Sequence, residues 1–259
     1  MKSLNPLLPN QIEFLEPAFG FGSLFSPLLS EGHTLKRAVA YEIDRNIAFK
    51  ATELWESYIE IYNSDFVQQN APSKLFNLII SNPPYVRHHH LGTSTKKLVY
   101  EEALARTGIK VSGLSSLYVY FVLLSHAWMS PSAIAVWILP TEFMSVNYGV
   151  ALQEYLTNHV TLLRIHKFPE EQSKFEGALT TSAIIFLRNQ KPSYNIEVEF
   201  TFGKELTDPT SSFRIGLFML QKETKWNTFF EDIKPPTSVS SSVVLGMEYQ
   251  YDKSDTLFR

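Results

Sequence analysis

The chain of 259 residues contains no cysteine. Disulfide bonds are therefore excluded, and thiolate metal sites and catalytic thiols are excluded with them. No apolar run approaches the roughly 20 residues that a helix needs to cross a bilayer. The first residues, "MKSLNPLLPN", lack the charged start and the long apolar stretch of a signal peptide. These absences predict a cytoplasmic protein that has no membrane contact.

An overall positive charge is also missing. The 23 basic and 26 acidic residues give a net charge of −3, which is not the balance of a protein that grips a polyanion with its whole surface. Basic residues are instead concentrated in residues 86–110, where five lysines and arginines and three histidines accompany two glutamates. Residues 190–259 carry eight basic and ten acidic residues. A nucleic acid would therefore be held by this local segment or by a separate recognition part.

The hydrophobic content of 44% and the aromatic content of 14% are sufficient for a folded core. Short apolar runs alternate with helical patterns along the chain. Strands are predicted at residues 12–16, 37–43, 59–63, 76–81, 133–139, 160–166 and 181–187, and the clearest helices at 115–129 and 146–159. Near-continuous apolar strands that alternate with helices predict an α/β fold with a mostly parallel sheet covered on both faces.

The first predicted strand runs into "EPAFGFGSLF", residues 16–25. Gly20 and Gly22 permit a tight turn and a close approach of a ligand to the backbone, and the amides that begin the next helix can face an anion. The loop lacks the full G-x-G-x-x-G spacing and the Lys-Ser/Thr pair of a triphosphate loop. Taken alone, it fits a plain tight turn equally well.

The second and third strand ends carry acids. Glu42, in "YEID", follows Gly22 by twenty residues, which is about the offset at which an acid holds ribose hydroxyls in nucleotide-binding sheets. In "NSDF", Asp65 can accept from an adenine amino group while Phe66 covers the ring. Each acid alone is more simply a structural group, and Asp44 is predicted to cap a helix. Because parallel strands end at one edge of the sheet, these loops are expected to meet there.

The fourth strand ends in "SNPPYV". Two prolines stop the strand and fix the backbone, so the Asn82 side-chain oxygen and the Pro83 carbonyl present two acceptors in a rigid arrangement. Tyr85 adds a flat aromatic face. Two acceptors beside an aromatic plate suit a planar group that bears an –NH2, whereas the alternative is a plain turn that ends a strand.

Together, "EPAFGFGSLF", "YEID", "NSDF" and "SNPPYV" resemble the amino-group DNA methyltransferases of restriction-modification systems. The similarity is to the adenine-modifying branch, in which the cofactor motifs precede Asn-Pro-Pro-Tyr. It covers about residues 12–188 and includes "AVWILPTEFMSVNYG" and "FEGALTTSAIIFL". The resemblance implies a Rossmann-like methyltransferase fold with a mostly parallel seven-stranded sheet. It also implies S-adenosylmethionine as the cofactor and methylation of an adenine amino group flipped out of double-stranded DNA.

The resemblance also implies a division of the chain and a set of site residues. Residues 1–189 would form the catalytic domain, and residues 190–259 a C-terminal extension that begins a truncated target-recognition region. The cofactor would be held by Glu16, Ala18, Phe19, Gly20, Gly22, Glu42, Ile43, Asp65 and Phe66. The residues implied at the target base are Asn82, Pro83, Pro84 and Tyr85, with Phe175 (or, in competition, Phe168) stacking on its other face.

The basic segment is expected to contact DNA through Arg87, His88, Lys96 and Lys97. The three successive histidines at 88–90 are expected to lie near phosphates, because immediate neighbours in sequence are poorly placed to share a zinc ion. No metal site is predicted.

Two features of the family are missing from this sequence, namely a motif upstream of the glycine loop and a substantial recognition domain. The chain is therefore predicted to be a fragment, or to rely on a separate recognition domain or subunit, or to have an undemanding substrate. Three alternatives stay open. They are a methyltransferase that acts on RNA or on a protein glutamine, a non-catalytic subunit that keeps the fold and binds DNA or a partner, and a dehydrogenase, which the glycine spacing disfavours.

Overall fold

The computed structural model describes residues 7–86, 93–169 and 181–231. Nine strands in these residues form one sheet. The strands are β1 (Ile12–Glu16), β2 (Leu35–Glu42), β3 (Glu60–Asn63), β4 (Phe76–Ser81), β5 (Met129–Pro140), β6 (Thr161–Lys167), β7 (Ser182–Arg188), β8 (Glu197–Phe202) and β9 (Ser211–Gly216). The helices are α1 (Phe25–Ser30), α2 (Arg45–Trp55), α3 (Thr93–Thr107), α4 (Leu117–Ser125), α5 (Val150–Asn158), α6 (Leu217–Lys222) and α7 (Thr228–Glu231).

The strand order is β3-β2-β1-β4-β5-β7-β6-β8-β9. Neighbours from β3 to β5 are parallel, whereas β7 runs antiparallel to both β5 and β6, and β9 runs antiparallel to β8. The prediction of seven strands was therefore wrong in number, and the sheet is mixed. The two further strands arise because β8 pairs in parallel with β6, with Arg164 opposite Glu199, and so covers an edge that β6 would otherwise expose.

Both faces of the sheet are buried, which explains the near-continuous apolar strands. Successive residues of a strand point to opposite faces, and Phe14 and Leu15 of β1 are both fully buried in different core clusters. Side chains of α1 and α2 pack on one face, and those of α3, α4 and α5 pack on the other. The observed arrangement has helices on both faces.

The order of the strands reverses between β1 and β4. From β1 the chain proceeds outward through β2 to β3, and it then returns to place β4 on the other side of β1. In such sheets, ligands bind beyond the carboxyl ends of the strands at the point of reversal. The loops that follow β1, β2, β3 and β4 all meet at this edge.

Residues after 189 contribute β8 and β9 to the same sheet and pack Leu220, Trp226 and Phe230 against its core. The division of the chain at residue 189 stays a prediction. Among the described helices, none combines the length and the apolar character that crossing a membrane requires.

A buried histidine links β6 to β8. His166 is fully buried, with Nδ1 2.9 Å from the Thr201 hydroxyl and Nε2 3.1 Å from the Gly203 carbonyl oxygen. A carbonyl only accepts, so Nε2 carries the hydrogen and Nδ1 accepts from Thr201. Burial and, secondarily, the charge of Arg164 lower the pKa of His166 to about 4. The native state therefore holds this imidazole neutral.

The lowered pKa of His166 predicts a stability that depends on pH. An unfolded chain binds a proton at this residue near pH 6.5, whereas the native state resists it until about pH 4. The contribution of His166 to the free energy of unfolding is thus complete above about pH 6.5 and is lost progressively as the pH falls toward 4. Urea denaturation at pH 7 and pH 5 measures this difference.

The matched variant is His166→Gln, which has no group that titrates in this range. It is expected to be less stable than the wild type at pH 7, but its stability should change less between pH 7 and pH 5. Since burial also lowers the pKa of His126, both proteins retain that residue and only the difference between them is interpreted. An equal loss of stability in the two proteins would contradict the role given to His166.

Candidate active site

A cavity of about 430 Å³ lies at the carboxyl edge where the strand order reverses. Its volume lies in the range of small-molecule sites, roughly 300–1,000 Å³. The first four strand-end segments and the helices α3 and α4 form its walls. The lining residues are Pro17, Ala18, Gly20, Tyr41, Glu42, Ile43, Ser64, Asp65, Phe66, Val67, Asn82, Pro84, Thr95, Leu117 and Phe121.

The two glycines of the first loop are required for different structural reasons. Both adopt the left-handed backbone region, with φ of +57° at Gly20 and +80° at Gly22. A Cβ on Gly22 would lie 2.7 Å from Nε1 of Trp55 and 2.9 Å from Cζ of Phe19, whereas one on Gly20 would meet nothing within 4 Å. Gly22 is therefore required by packing as well as by conformation, and Gly20 leaves open space beside the cavity.

Glu42 connects the loops that form the cavity. Its Oε2 accepts from the Gly20 N–H at 2.9 Å and its Oε1 from the Asp44 N–H at 2.8 Å. Its own carbonyl accepts from Nδ2 of Asn63 at 2.9 Å. A carboxylate can accept about four hydrogen bonds, so acceptor capacity for two more remains, which suits a pair of hydroxyl groups.

The third loop brings the carboxylate of Asp65 close to a pair of aromatic rings, which is called the aromatic floor of the cavity and consists of Phe66 and Phe121. Asp65 caps the 3₁₀ turn Phe66–Gln68, accepting from the Val67 N–H at 3.3 Å and from Nε2 of Gln68 at 2.7 Å. Phe66 is buried and stacks on Phe121 with ring centroids 5.6 Å apart. The floor thus offers flat apolar surface with a carboxylate beside it.

The predicted helix cap at Asp44 is confirmed, since its side chain accepts from Asn46 N and Ile47 N.

The fourth loop, residues 82–85, forms an elbow in which the asparagine is held by the tyrosine. The Tyr85 hydroxyl donates to Oδ1 of Asn82 at 2.8 Å and lies 3.1 Å from the carbonyl oxygen of Ile138 in β5. Burial raises the pKa of Tyr85 to about 12, so the hydroxyl remains a donor at neutral pH. Asn82 Oδ1 keeps a further lone pair, and Asn82 and Pro84 line the cavity.

A second tyrosine supports the elbow from behind. The ring of Tyr118 meets the ring of Tyr85 edge-on, with centroids 6.2 Å apart. Tyr118 is buried, and within the described part of the chain its hydroxyl has no hydrogen-bond partner. Burial also raises the pKa of Tyr118. A buried hydroxyl without a hydrogen-bond partner lowers the free energy of unfolding by about 1–3 kcal/mol. Tyr118 thus has a free donor group close to the elbow.

The residues around the cavity fit S-adenosylmethionine. Glu42 has acceptor capacity for ribose hydroxyls, and Phe66 and Phe121 offer a floor for a flat ring. Glu16, at the end of β1, is buried behind the wall, and its Oε2 has no partner among the described residues. Burial raises the pKa of Glu16 well above its ordinary value. This orphaned carboxyl lies next in sequence to Pro17, which lines the cavity, and suits a ligand that carries an amino group.

The structure gathers some of the predicted site residues at the cavity and places others elsewhere. Those on its wall are Ala18, Gly20, Glu42, Ile43, Asp65, Phe66, Asn82 and Pro84. Glu16, Phe19, Gly22 and Pro83 are buried behind it, and Tyr85 is half-buried. Lys96 and Lys97 line a second cavity. Arg87, His88 and Phe175 lie outside the described residues, whereas the competing Phe168 packs against His166.

Seven lining residues were not predicted, namely Pro17, Tyr41, Ser64, Val67, Thr95, Leu117 and Phe121. Tyr41 directly precedes Glu42, and this adjacency was a usable signal. Phe121 belongs to the run "LYVYFVLLS", which is buried on all sides. A run without an apolar face gives no indication of which residue faces a ligand.

The strand order and the position of the cavity define an S-adenosylmethionine-dependent methyltransferase fold. The fold is shared with a class I S-adenosylmethionine-dependent methyltransferase of Listeria monocytogenes (TM-score 0.60, 16% identity, 84% of this chain and 64% of that chain). It is also shared with the methyltransferase subunit of a type I restriction-modification system of Streptococcus thermophilus (TM-score 0.60, 15% identity, 77% and 44%).

Residues 28–175 match the Eco57I restriction-modification methylase family, and the chain belongs to this family. One relative is the type II methyltransferase M.AccI of Acinetobacter calcoaceticus, which is 29% identical over 224 residues, or 85% of this chain and 40% of M.AccI. The chain spans less than half the length of the curated relatives it matches. The predicted resemblance to the methyltransferases of restriction-modification systems is confirmed, and family and fold together imply S-adenosylmethionine as the cofactor.

The two glycines of the first loop predict unequal effects of the same substitution. Gly20→Ala and Gly22→Ala both force an alanine into the left-handed region, which costs roughly 1–2 kcal/mol. Gly22→Ala adds the overlap with Trp55 and Phe19, so it is expected to lower the free energy of unfolding clearly more than Gly20→Ala. Urea denaturation of both variants measures the difference, and equal losses would contradict this explanation of the loop.

Proposed function

We propose that this protein transfers the methyl group of S-adenosylmethionine to the exocyclic amino nitrogen (N6) of an adenine in double-stranded DNA, as part of a restriction-modification system. The observation that carries the proposal is the elbow at the cavity wall, where the Tyr85 hydroxyl orients the amide oxygen of Asn82. Membership of the Eco57I restriction-modification methylase family supports DNA as the substrate.

The cofactor is assigned to the first three loops. Glu42 would accept from the ribose hydroxyls, Asp65 from the adenine amino group, and Ile43 and Phe66 would pack on the adenine ring. The methionine and ribose part of the cofactor would be lined by Glu16, Ala18, Phe19, Gly20 and Gly22. The bound cofactor supplies an electrophilic methyl group on a sulfonium.

The elbow is assigned to the target amino group. The lone pair of an adenine amino nitrogen is delocalised into the ring, so this nitrogen is a poor nucleophile. Oδ1 of Asn82 and the carbonyl of Pro83 would accept its two hydrogens and favour a pyramidal nitrogen, which stabilises the transition state more than the ground state. Correct orientation of the reacting groups contributes roughly 7–11 kcal/mol in favourable cases. The nitrogen then releases one proton to solvent, and no strong base is needed.

The target adenine would be flipped out of the duplex, at a cost of a few kcal/mol. Tyr85 is assigned to one face of the base and Phe175 to the other. Arg87, His88, Lys96 and Lys97 are assigned to DNA phosphates.

Recognition of a specific sequence is assigned to a separate domain or subunit, with residues 190–259 as the start of a recognition region. Two observations support this assignment. M.AccI and the other matched relatives are much longer than this chain, and the Streptococcus thermophilus neighbour is itself a subunit of a type I restriction-modification system.

The elbow predicts two variants with different outcomes. Asn82→Ala is expected to abolish methyl transfer and to leave cofactor binding intact, because Asn82 meets the amino group and not the ribose or adenine of the cofactor. Tyr85→Phe keeps the ring and removes the hydroxyl, which both orients Asn82 and contacts the Ile138 carbonyl. A hydrogen bond of this kind is worth about 0.5–1.5 kcal/mol. Tyr85→Phe should therefore lower kcat roughly 2- to 12-fold.

Transfer of labelled methyl groups to unmethylated genomic DNA measures activity, and calorimetry measures cofactor binding. Loss of cofactor binding in Asn82→Ala would contradict the role of Asn82. Transfer by the wild type to RNA or to a protein, but not to DNA, would contradict the proposed substrate. Tight DNA binding without any transfer would instead identify a non-catalytic subunit.

A further inference from the structure

A second cavity, of about 250 Å³, is lined in part by the same two helices as the first one. Helices α3 and α4 lie between the two, because neighbouring residues of each helix line different cavities. On α3, Thr95 lines the first cavity and Lys96 the second; on α4, Phe121 lines the first and Tyr120 the second. The second cavity therefore lies on the same two helices as the cavity that carries the proposed site of methyl transfer.

The charge on this cavity is positive and incompletely paired. Both glutamates of α3 have a partner on the same helix: Glu102 is 2.8 Å from Arg106, and Glu101 is 3.8 Å from Lys97. Lys96 is half-buried and has no carboxylate partner within the described part of the chain. An anionic ligand in the cavity would supply the counter-charge that Lys96 lacks among these residues.

Two tyrosines form another part of the wall. Tyr100 and Tyr120 both line the cavity, and neither hydroxyl has a hydrogen-bond partner among the described residues. Gly113 adds a section of wall without a side chain, and Ser115 donates to the Tyr148 carbonyl and keeps its acceptor lone pairs. Lysine together with tyrosine faces is the combination with which proteins hold unstacked nucleotides, since every base has a face that can stack.

We infer that the second cavity holds a further nucleotide of the DNA substrate, displaced from the base stack, with its phosphate at Lys96 and its base against Tyr100 and Tyr120. The inference rests on the proposed function, because it takes DNA as the substrate. It adds a second contact point for the DNA on the outer side of α3 and α4.

The test separates the contribution of charge from that of stacking. The full chain and its variants are titrated by fluorescence anisotropy with a labelled duplex and with its single strand, over a series of salt concentrations and with S-adenosylhomocysteine present. Lys96→Ala is expected to weaken binding and to reduce the salt slope by about 0.9 for the duplex and about 0.7 for the single strand. Lys50→Ala removes an exposed lysine that lies outside the basic segment and lines neither cavity, and should bind as the wild type does.

Tyr100→Leu is expected to weaken binding roughly 5- to 150-fold without changing the salt slope, as loss of one stacked base predicts. Tyr100→Phe keeps the ring and should retain wild-type affinity, so it controls for damage to the fold. In methylation assays, Lys96→Ala should raise KM for DNA and leave KM for S-adenosylmethionine unchanged.

The outcomes distinguish the inference from the proposed function. If the wild type methylates DNA while Lys96→Ala and Tyr100→Leu bind DNA with unchanged affinity and salt slope, the inference is overturned and the function stands. If Lys96→Ala weakens only the binding of inorganic phosphate, the cavity is a site for small anions, and the inference is again overturned. A wild-type chain that neither binds nor methylates DNA would overturn both.

Discussion

The carboxylate of Glu42 is the group on which the shape of the cofactor cavity depends. The carboxylate accepts hydrogen bonds from the backbone N–H groups of both Gly20 and Asp44, and the side chain of Asn63 donates to the backbone carbonyl of Glu42. Three strand-end loops are thereby fixed to one residue that lies at the end of a strand. Loops held in this way need little ordering when a ligand arrives, which lowers the entropic cost of binding. Within the described part of the chain, the acceptor capacity that remains on the same carboxylate is not used by another side chain, and it is available to the ribose in the proposed mode of binding.

The elbow (residues 82–85) is fixed independently, on the other side of the reversal in strand order. The Tyr85 hydroxyl donates to Asn82 and lies 3.1 Å from the Ile138 carbonyl oxygen of the neighbouring strand β5, so the loop after β4 rests against the sheet. The distance between the two walls is then set by the pairing of β1 with β4, where Phe14 lies opposite Leu78 and Leu15 opposite Ile79. Transfer between two bound groups requires such a fixed separation.

The features that the sequence predicted well are those set by local chemistry. Strands β1 and β4 have the predicted bounds, and the left-handed Gly20 and Gly22 and the strand-ending prolines stand where a turn requires them. Strand direction was not predictable, because an apolar strand such as β7 reads the same whether it runs parallel or antiparallel. Strands β8 and β9 join the sheet through tertiary contacts such as the bond between His166 and Thr201, which no local pattern reveals.

Helix α4 connects the parts of the molecule that the proposed reaction uses. Its first residue, Leu117, donates its N–H to the carbonyl of Val86 at 2.9 Å, directly after Tyr85. The next residue, Tyr118, packs edge-on against Tyr85, and Phe121 and Tyr120 face the two cavities. All residues of α4 after Leu117 are buried, so the helix is packed on every side. DNA bound in the second cavity would therefore contact the same helix that supports the elbow. Binding of the DNA and the position of Asn82 would then both depend on the contacts of α4.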